Sequence, residues 1–277
     1  MRRFRGVRAA LLGAGIALVS PALAQAPATA PKSEAAAKAE DALDPDATAA
    51  LDAMGRYLRS LKTFQVEATA STDDVLEDGQ VLQAASDVNM LVRAPDRLIL
   101  NVDRETGQRL YLYDGKSVTA WDRTLDFYAT VPAPPTLGQL ADTLEDKYGI
   151  ELPLVDLFRW GAPGRTQAKL TSAIDVGPSD VDGTSCEHYA FRQEGLDWQV
   201  WIQKGDFPLP RKLVLTTTTD DARPRHTAVL TWNLAPAVND QAFVFRPTPT
   251  AKKVVLAELP SIKGTPASKR TKGGSSK

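Results

Sequence analysis

Few side chains in this sequence have both the type and the spacing for chemistry. Cys186 and His188 are separated by one residue, so on a strand they would share a face. His226 is the only other histidine. A closed zinc site takes four ligands, and these three residues are the whole supply of cysteine and histidine. A cysteine nucleophile needs a base held in place by a further group, which an i, i+2 pair does not specify. Neither Gly-x-Ser-x-Gly nor His-Glu-x-x-His occurs. The pair therefore reads as a buried thiol beside a hydrogen-bonded imidazole, and no catalytic residue, metal or cofactor is assigned. Asp73-Asp74 and Asp220-Asp221 fall in turns, where carboxylates cap backbone donors. Arg211-Lys212 is expected to pair with Asp206 or another carboxylate and to fix geometry.

Apolar side chains form the more informative pattern. Trp198, Val200 and Ile202 alternate with Gln199 and Gln203, which puts them on one strand face. Gly205, Pro208 and Pro210 then stop the ladder, and Leu213 and Leu215 resume it in phase. The same alternation gives Phe64 and Val66, Leu98 and Leu100, Leu112, and Leu230 and Trp232. At about 1.5–3 kcal/mol per large side chain, this face cannot be left wet in a marginally stable domain. Two solutions are open from sequence: helices pack the face completely, or helices cover part and a bound acyl chain fills the rest.

The elements that must carry this stripe follow in order. Ala50, Leu51, Met54, Tyr57, Leu58 and Leu61 recur at helical steps, capped by Asp44 or Asp46. Six strands follow from Thr63 to Tyr128, joined by tight turns that include Asp78-Gly79, Ala94-Pro95-Asp96 and Asp114-Gly115. Thr136 with Gln139 is a capping-box pattern opening a helix through Tyr148, stopped by Gly149, and Pro153 opens a second short helix to Trp160. A second meander begins at Gln167, turns at Asp182-Gly183 and ends near Asn233. Phe243-Val244-Phe245 reads as a short closing strand or edge.

The flanks bound the setting. Residues 1–24 carry Arg2, Arg3, Arg5 and Arg8, an apolar run from Ala9 to Val19, and Ala22-Leu23-Ala24, the pattern of a cleaved secretory signal peptide. The run is shorter than the ~20 residues of a spanning helix, so no transmembrane segment is expected after processing. Residues 25–45 read as a disordered linker, 46–259 as a single domain, and 260–277 as a disordered basic tail. Without the leader the chain holds 29 basic against 34 acidic residues, a formal −5, which argues against nucleic acid as a partner. With Cys186 as the only cysteine, no internal disulfide can form and core burial must hold the fold.

Several short motifs recur together in a known order: Tyr57-Leu58-Arg59-Ser60-Leu61, Ala94-Pro95-Asp96-Arg97, Asp114-Gly115-Lys116, Tyr148-Gly149-Ile150, Leu152-Pro153-Leu154, Cys186-Glu187-His188 and Pro208-Leu209-Pro210-Arg211-Lys212. Through them the chain, from about Ala47 to Val255, resembles a family of predicted bacterial periplasmic proteins. That family is similar in fold to the LolA/LolB-like carriers and receptors of outer-membrane lipoproteins and to a sensor of envelope stress. The resemblance implies a mainly β (α+β) fold, a curved antiparallel incomplete β-barrel with helices covering the concave face. It also implies a periplasmic, non-enzymatic binding protein holding a lipid or lipoprotein acyl chain, with an envelope protein as the alternative partner and the fold then a scaffold. No ligand-contacting motif of the carriers maps onto this sequence, so the twelve apolar residues named above are the candidate ligand-binding set.

Overall fold

The computed structural model describes residues 43–160 and 169–259. The proposed signal peptide, nearly all of the linker, the basic tail and the expected strand start at Gln167 lie outside the described residues.

Helix α1, Pro45–Ser60, starts where the Asp44 carboxylate accepts from the Asp46 and Ala47 amides at 2.8 and 3.3 Å, with proline in its first turn. Its periodic residues Ala47, Leu51, Met54 and Leu58 are all buried. The first meander follows: β1 (Thr63–Val75), β2 (Val81–Arg93), β3 (Arg97–Arg104), β4 (Gly107–Tyr113), β5 (Ser117–Asp122) and β6 (Phe127–Pro132). Helix α2, Leu137–Tyr148, is capped by Thr136 and closed by Gly149 at φ 64°, whose amide returns to Glu145 O at 3.0 Å. Next comes α3, a single turn at Asp156–Arg159. The expected start of this helix at Pro153 is corrected by three residues, because Leu154 sits at φ 58° and no helix can run through it.

The second meander is β7 (Leu170–Val181), β8 (Thr184–Gln193), β9 (Leu196–Gln203), β10 (Pro210–Thr217) and β11 (Arg225–Asn233). Asp182 and Gly183, at φ 48° and 76°, make the β7–β8 turn of the two-residue kind that positive φ permits. Where the prolines stand, the β9–β10 register shifts between Pro210 and Lys212.

Among the described residues the two meanders form one twelve-stranded sheet in the order β12-β6-β5-β4-β3-β2-β1-β11-β10-β9-β8-β7. The join is β1 against β11, with Val66 opposite Trp232, Ala68 opposite Leu230 and Ala70 opposite Ala228. Every neighbour is antiparallel except the two-residue β12, Lys252–Lys253, which lies parallel to β6. A flat sheet of this order would be about 50 Å wide. Yet side chains from β1 through β5, from β7 through β11 and from all three helices share one buried cluster, so the sheet must curl around the helices. The fold is thus mainly β, a curved open sheet with few helices.

Two expectations are overturned on the outer face. Leu112 is buried, but it sits opposite Ile99 and Thr119, whereas Tyr111 and Tyr113 carry the inward phase opposite Leu100 and Leu98. All four residues from Leu110 to Tyr113 are apolar or aromatic and buried, so alternation could not set their phase. Phe243–Phe245 is not a strand: Asp240–Phe243 forms a single 3-10 turn that begins a strap across the back of the sheet. Phe243 is buried under Arg93, which also pairs with Asp240. Phe245 packs on Trp121 and Tyr128 at 5.7 and 5.0 Å. Thr248 and Thr250 donate to Asp126, β12 pairs with β6, and the Leu259 amide reaches Lys147 O at the end of α2.

Both layers carry stability. Leu100→Ala, in the concave core, is expected to lower the unfolding free energy by about 2–5 kcal/mol, and Phe243→Ala, under the strap, by about 3–5 kcal/mol. Urea titration followed by tryptophan fluorescence measures both; a loss below about 1 kcal/mol for Phe243→Ala would show that the strap is a loose appendage.

Candidate functional site

Of the twelve residues singled out from sequence, nine lie in the concave core: Phe64, Val66, Leu98, Leu100, Trp198, Val200, Ile202, Leu213 and Leu230. Leu215 and Trp232 are half-buried and pack against it, and Leu112 is on the other face. Helix α1 fills much of the hollow, since its buried residues belong to the same cluster. The concave wall is therefore covered by α1 as well as by α2 and α3.

The wall reaches water at the junction of α2, α3 and β8–β10. A recess of about 580 Å³ opens there. Its apolar side is Trp160, Trp198, Leu196 and Leu215. Trp198 anchors it, stacked on Phe191 at 4.3 Å between centroids and facing Trp160 at 6.2 Å with 18° between the planes. The rim is charged: Asp142, Glu145 and Asp146 from α2, Asp156 and Arg159 from α3, and Lys169. The Arg159 guanidinium bonds to Asp142 at 3.4 Å and to Glu145, tying the two helices together, while its buried Nε has no partner among the described residues. Arg59 on α1 donates to Trp160 O at 3.1 Å, so α3 is clipped from both sides. Burial pushes the Asp156 carboxyl above its ordinary range, with Arg159 opposing and Glu145 and Glu151 adding to the shift. A smaller recess of about 210 Å³ lies past Gly149, between Ile150 and Pro153 and the strand residues Val102 and Tyr111.

The chemistry-bearing residues do not converge. Cys186 is fully buried, its thiol donating to Thr184 O at 3.3 Å and pushed up by burial. His188 lies on the outer face, stacked on Trp201 at 3.9 Å and bonded to Gln199 at 3.0 Å, with burial lowering its pKa. His226 is in phase with Ala228 and Leu230, hence on the concave side, and bonds Thr72 at 2.8 Å. Among the described residues no group of three or more histidines, cysteines and carboxylates is placed to hold a metal. Arg211 does not pair with a carboxylate as expected: its guanidinium bonds Gln203 at 2.9 and 2.6 Å, and Lys212 lies over the Trp201 ring at 4.7 Å. Trp201 is the cross-strand partner of Lys212, whereas Arg211 stands in the irregularity between Pro210 and Lys212, close to Gln203, whose backbone amide bonds Leu209 O.

Sequence reasoning missed the rim. Trp160 was visible within an apolar stretch, but Asp156 and Arg159 gave no signal, because charged residues in a one-turn helix look like any solvated turn.

Residues 47–257 match a family model described as a predicted periplasmic protein, DUF2092. The comparison with curated proteins finds no match. Among solved structures, the chain is similar to an uncharacterized conserved protein from Thermus thermophilus (12% identity, 76% of this chain and 99% of that one, TM-score 0.42). It is also similar to LprF from Mycobacterium bovis (12% identity, 71% and 96%, TM-score 0.41). A LolA superfamily protein from Nitrosomonas europaea is matched at 9% identity over 72% of this chain and 97% of that one, with a TM-score of 0.34. No helix among the described residues is long and apolar enough to cross a membrane.

Two outcomes follow from the pKa directions. For Asp156 the folded value is raised, so the neutral carboxyl stabilises the fold at acidic pH and that contribution is lost as pH rises through the raised value. Asp156→Asn should therefore raise Tm at pH 7, with a gain that shrinks as pH falls toward the ordinary carboxylate range; a constant or negative shift across pH would contradict this. Cys186, buried and with its thiolate disfavoured, should resist a disulfide reagent in the native state and react rapidly in denaturant.

Proposed function

The chain belongs to the DUF2092 family of predicted periplasmic proteins, and from that premise we propose that it is a non-enzymatic binding protein for an apolar ligand, a lipid or lipoprotein acyl chain, held between the curved sheet and the α2–α3 lid. In this reading residues 1–24 are a cleaved leader and the domain spans residues 46–259. The observation that supports it is the recess beside Trp160, where Leu196 and Leu215, packed against the concave core, come to the surface. Its volume is within the usual range for small-molecule pockets, and aromatic side chains line it. An acyl chain entering there would run along Trp198, Leu196 and Leu215 and deepen the recess by shifting α3. That helix is one turn long and held by few side-chain clips, so it is the part of the cover that moves at least cost.

Native mass spectrometry of gently purified protein is expected to show a co-purifying lipid, and the emptied protein to take up a fluorescent fatty acid. Leu196→Gln with Leu215→Gln should weaken uptake about tenfold, the loss of roughly 1.4 kcal/mol of apolar contact. Leu125→Gln, at a position 65% exposed and away from the recess, should leave it unchanged. Protein that carries no lipid and takes up no probe would overturn the reading.

A further inference from the structure

The α2–α3 lid borders two openings. The larger is the recess beside Trp160, and the smaller, of about 210 Å³, lies past the loop that leaves α2 at Gly149. Burial raises the Asp156 carboxyl in the larger recess, and Glu151 in the smaller is near enough to add to the shift. Sheet register connects the two as well. Leu215 of the larger recess stands opposite His226 on β11, and His226 opposite Thr72 on β1. Two strands further on, Arg104 of β3 is in phase with the buried Val102 and so belongs to the concave side. Burial, and after it Arg104, lowers the His226 pKa, so the guanidinium is within electrostatic reach of the midpoint of this path. From Leu215 to Arg104 is four strand spacings, about 19 Å along the curve.

The smaller recess carries charges of both signs. Arg104 and Arg109 come from the β3–β4 hairpin, Asp122 from β5 and Glu151 from the lid loop. Asp122 is occupied: its Oδ1 accepts the Thr124 and Leu125 amides at 3.1 and 2.9 Å, and its Oδ2 meets Arg109 Nε at 3.8 Å. The Arg104 guanidinium and the Glu151 carboxylate make no hydrogen bond or ion pair among the described residues, although they line one small recess. Opposite charges that share a recess without meeting suit a group that carries both signs. An acid group matches the guanidinium fork, and an ammonium the carboxylate. Beside them, Val102 and Tyr111 belong to the concave core and Ile150 packs against it, so a head held here has apolar surface next to it for its chain. A recess of this volume takes a head and not a whole ligand.

We propose that the smaller recess binds the zwitterionic head of an amphiphile, its acid group at Arg104 and Arg109 and its ammonium at Glu151, with the chain passing beneath the lid toward Leu215 and Leu196. This rests on the apolar-ligand reading above and adds the chemistry and the place of the head.

Isothermal titration at low salt, below micelle formation, tests it with dodecylphosphocholine, dodecyl phosphate, dodecyltrimethylammonium, dodecyl maltoside and phosphocholine. Dodecylphosphocholine is expected to bind about tenfold more tightly than the maltoside and than either singly charged amphiphile, an advantage that shrinks as salt is raised. Arg104→Gln, at an exposed position, should bring its affinity down to that of the maltoside. Glu151→Gln, also exposed, should weaken dodecylphosphocholine and strengthen dodecyl phosphate, so that the two change order. Dodecyl phosphate binding the unaltered protein as tightly as the zwitterion would overturn the proposal. So would both variants changing every probe alike, since the two charges would then act on the lid alone. Phosphocholine binding as tightly as the amphiphile would assign the recess to small free zwitterions and overturn the amphiphile. Zwitterion binding that ignores Leu196→Gln with Leu215→Gln would overturn the path of the chain. In the first two of these cases maltoside binding that the leucine pair weakens leaves the apolar-ligand reading standing, whereas if no chain-bearing probe binds, both fall.

Discussion

The pairing of β1 with β11 is the constraint on which the molecule depends. It joins residues about 160 positions apart, Val66 to Trp232 and Ala70 to Ala228, and turns two meanders into one wall. Without it each meander would expose an apolar face and an unpaired central edge, both prone to non-native association. With it, side chains from both halves face one another across the curve, and Phe64 can lie 5.5 Å from Trp232. The helical segment between the meanders is then placed over the hollow, because its two ends emerge from opposite ends of the same sheet.

A curved wall of this width needs more cover than two short helices supply. Helix α1 provides it, entering beside β7 through the Asp44 amide bonded to Ala173 O at 3.0 Å and ending at the Arg59 clip on Trp160. The result is a packed interior with relief at its margins. Beside the end of α1, α3 closes the wall with one turn of helix held in part by charged side chains. Apolar packing is dense and hard to deform, whereas exposed ion pairs contribute little, so the weak point of the cover is the place where cohesion passes from one to the other.

The strap treats the opposite face in the same way. Aromatic contacts through Phe243 and Phe245 cover the backs of β3 to β6, and Asp126 gathers Trp121, Thr248 and Thr250 at the sheet edge. Because the strap continues along the edge of β6 to the end of α2, the outer layer and the lid meet where the Leu259 amide donates to Lys147 O.

What the sequence determined was local. Periods of two and 3.6 identified the strands of both meanders and the two longer helices, and the Asp-Gly, Thr136 and Gly149 signals placed their ends, because these depend on residues within a turn or two of one another. It determined as well that nine of the twelve named residues would share one buried face. Tertiary structure alone decided the rest. Leu112 could not be phased where four successive residues are all buried. Phe243 and Phe245 needed Arg93, Trp121 and Tyr128, more than a hundred positions earlier, to become a strap. The recess exists only where Trp160 from a helix meets Trp198 from a strand across the closed wall. Such a site is a property of contacts between distant segments, and a pattern read along the chain carries the faces of those segments but not which faces will meet.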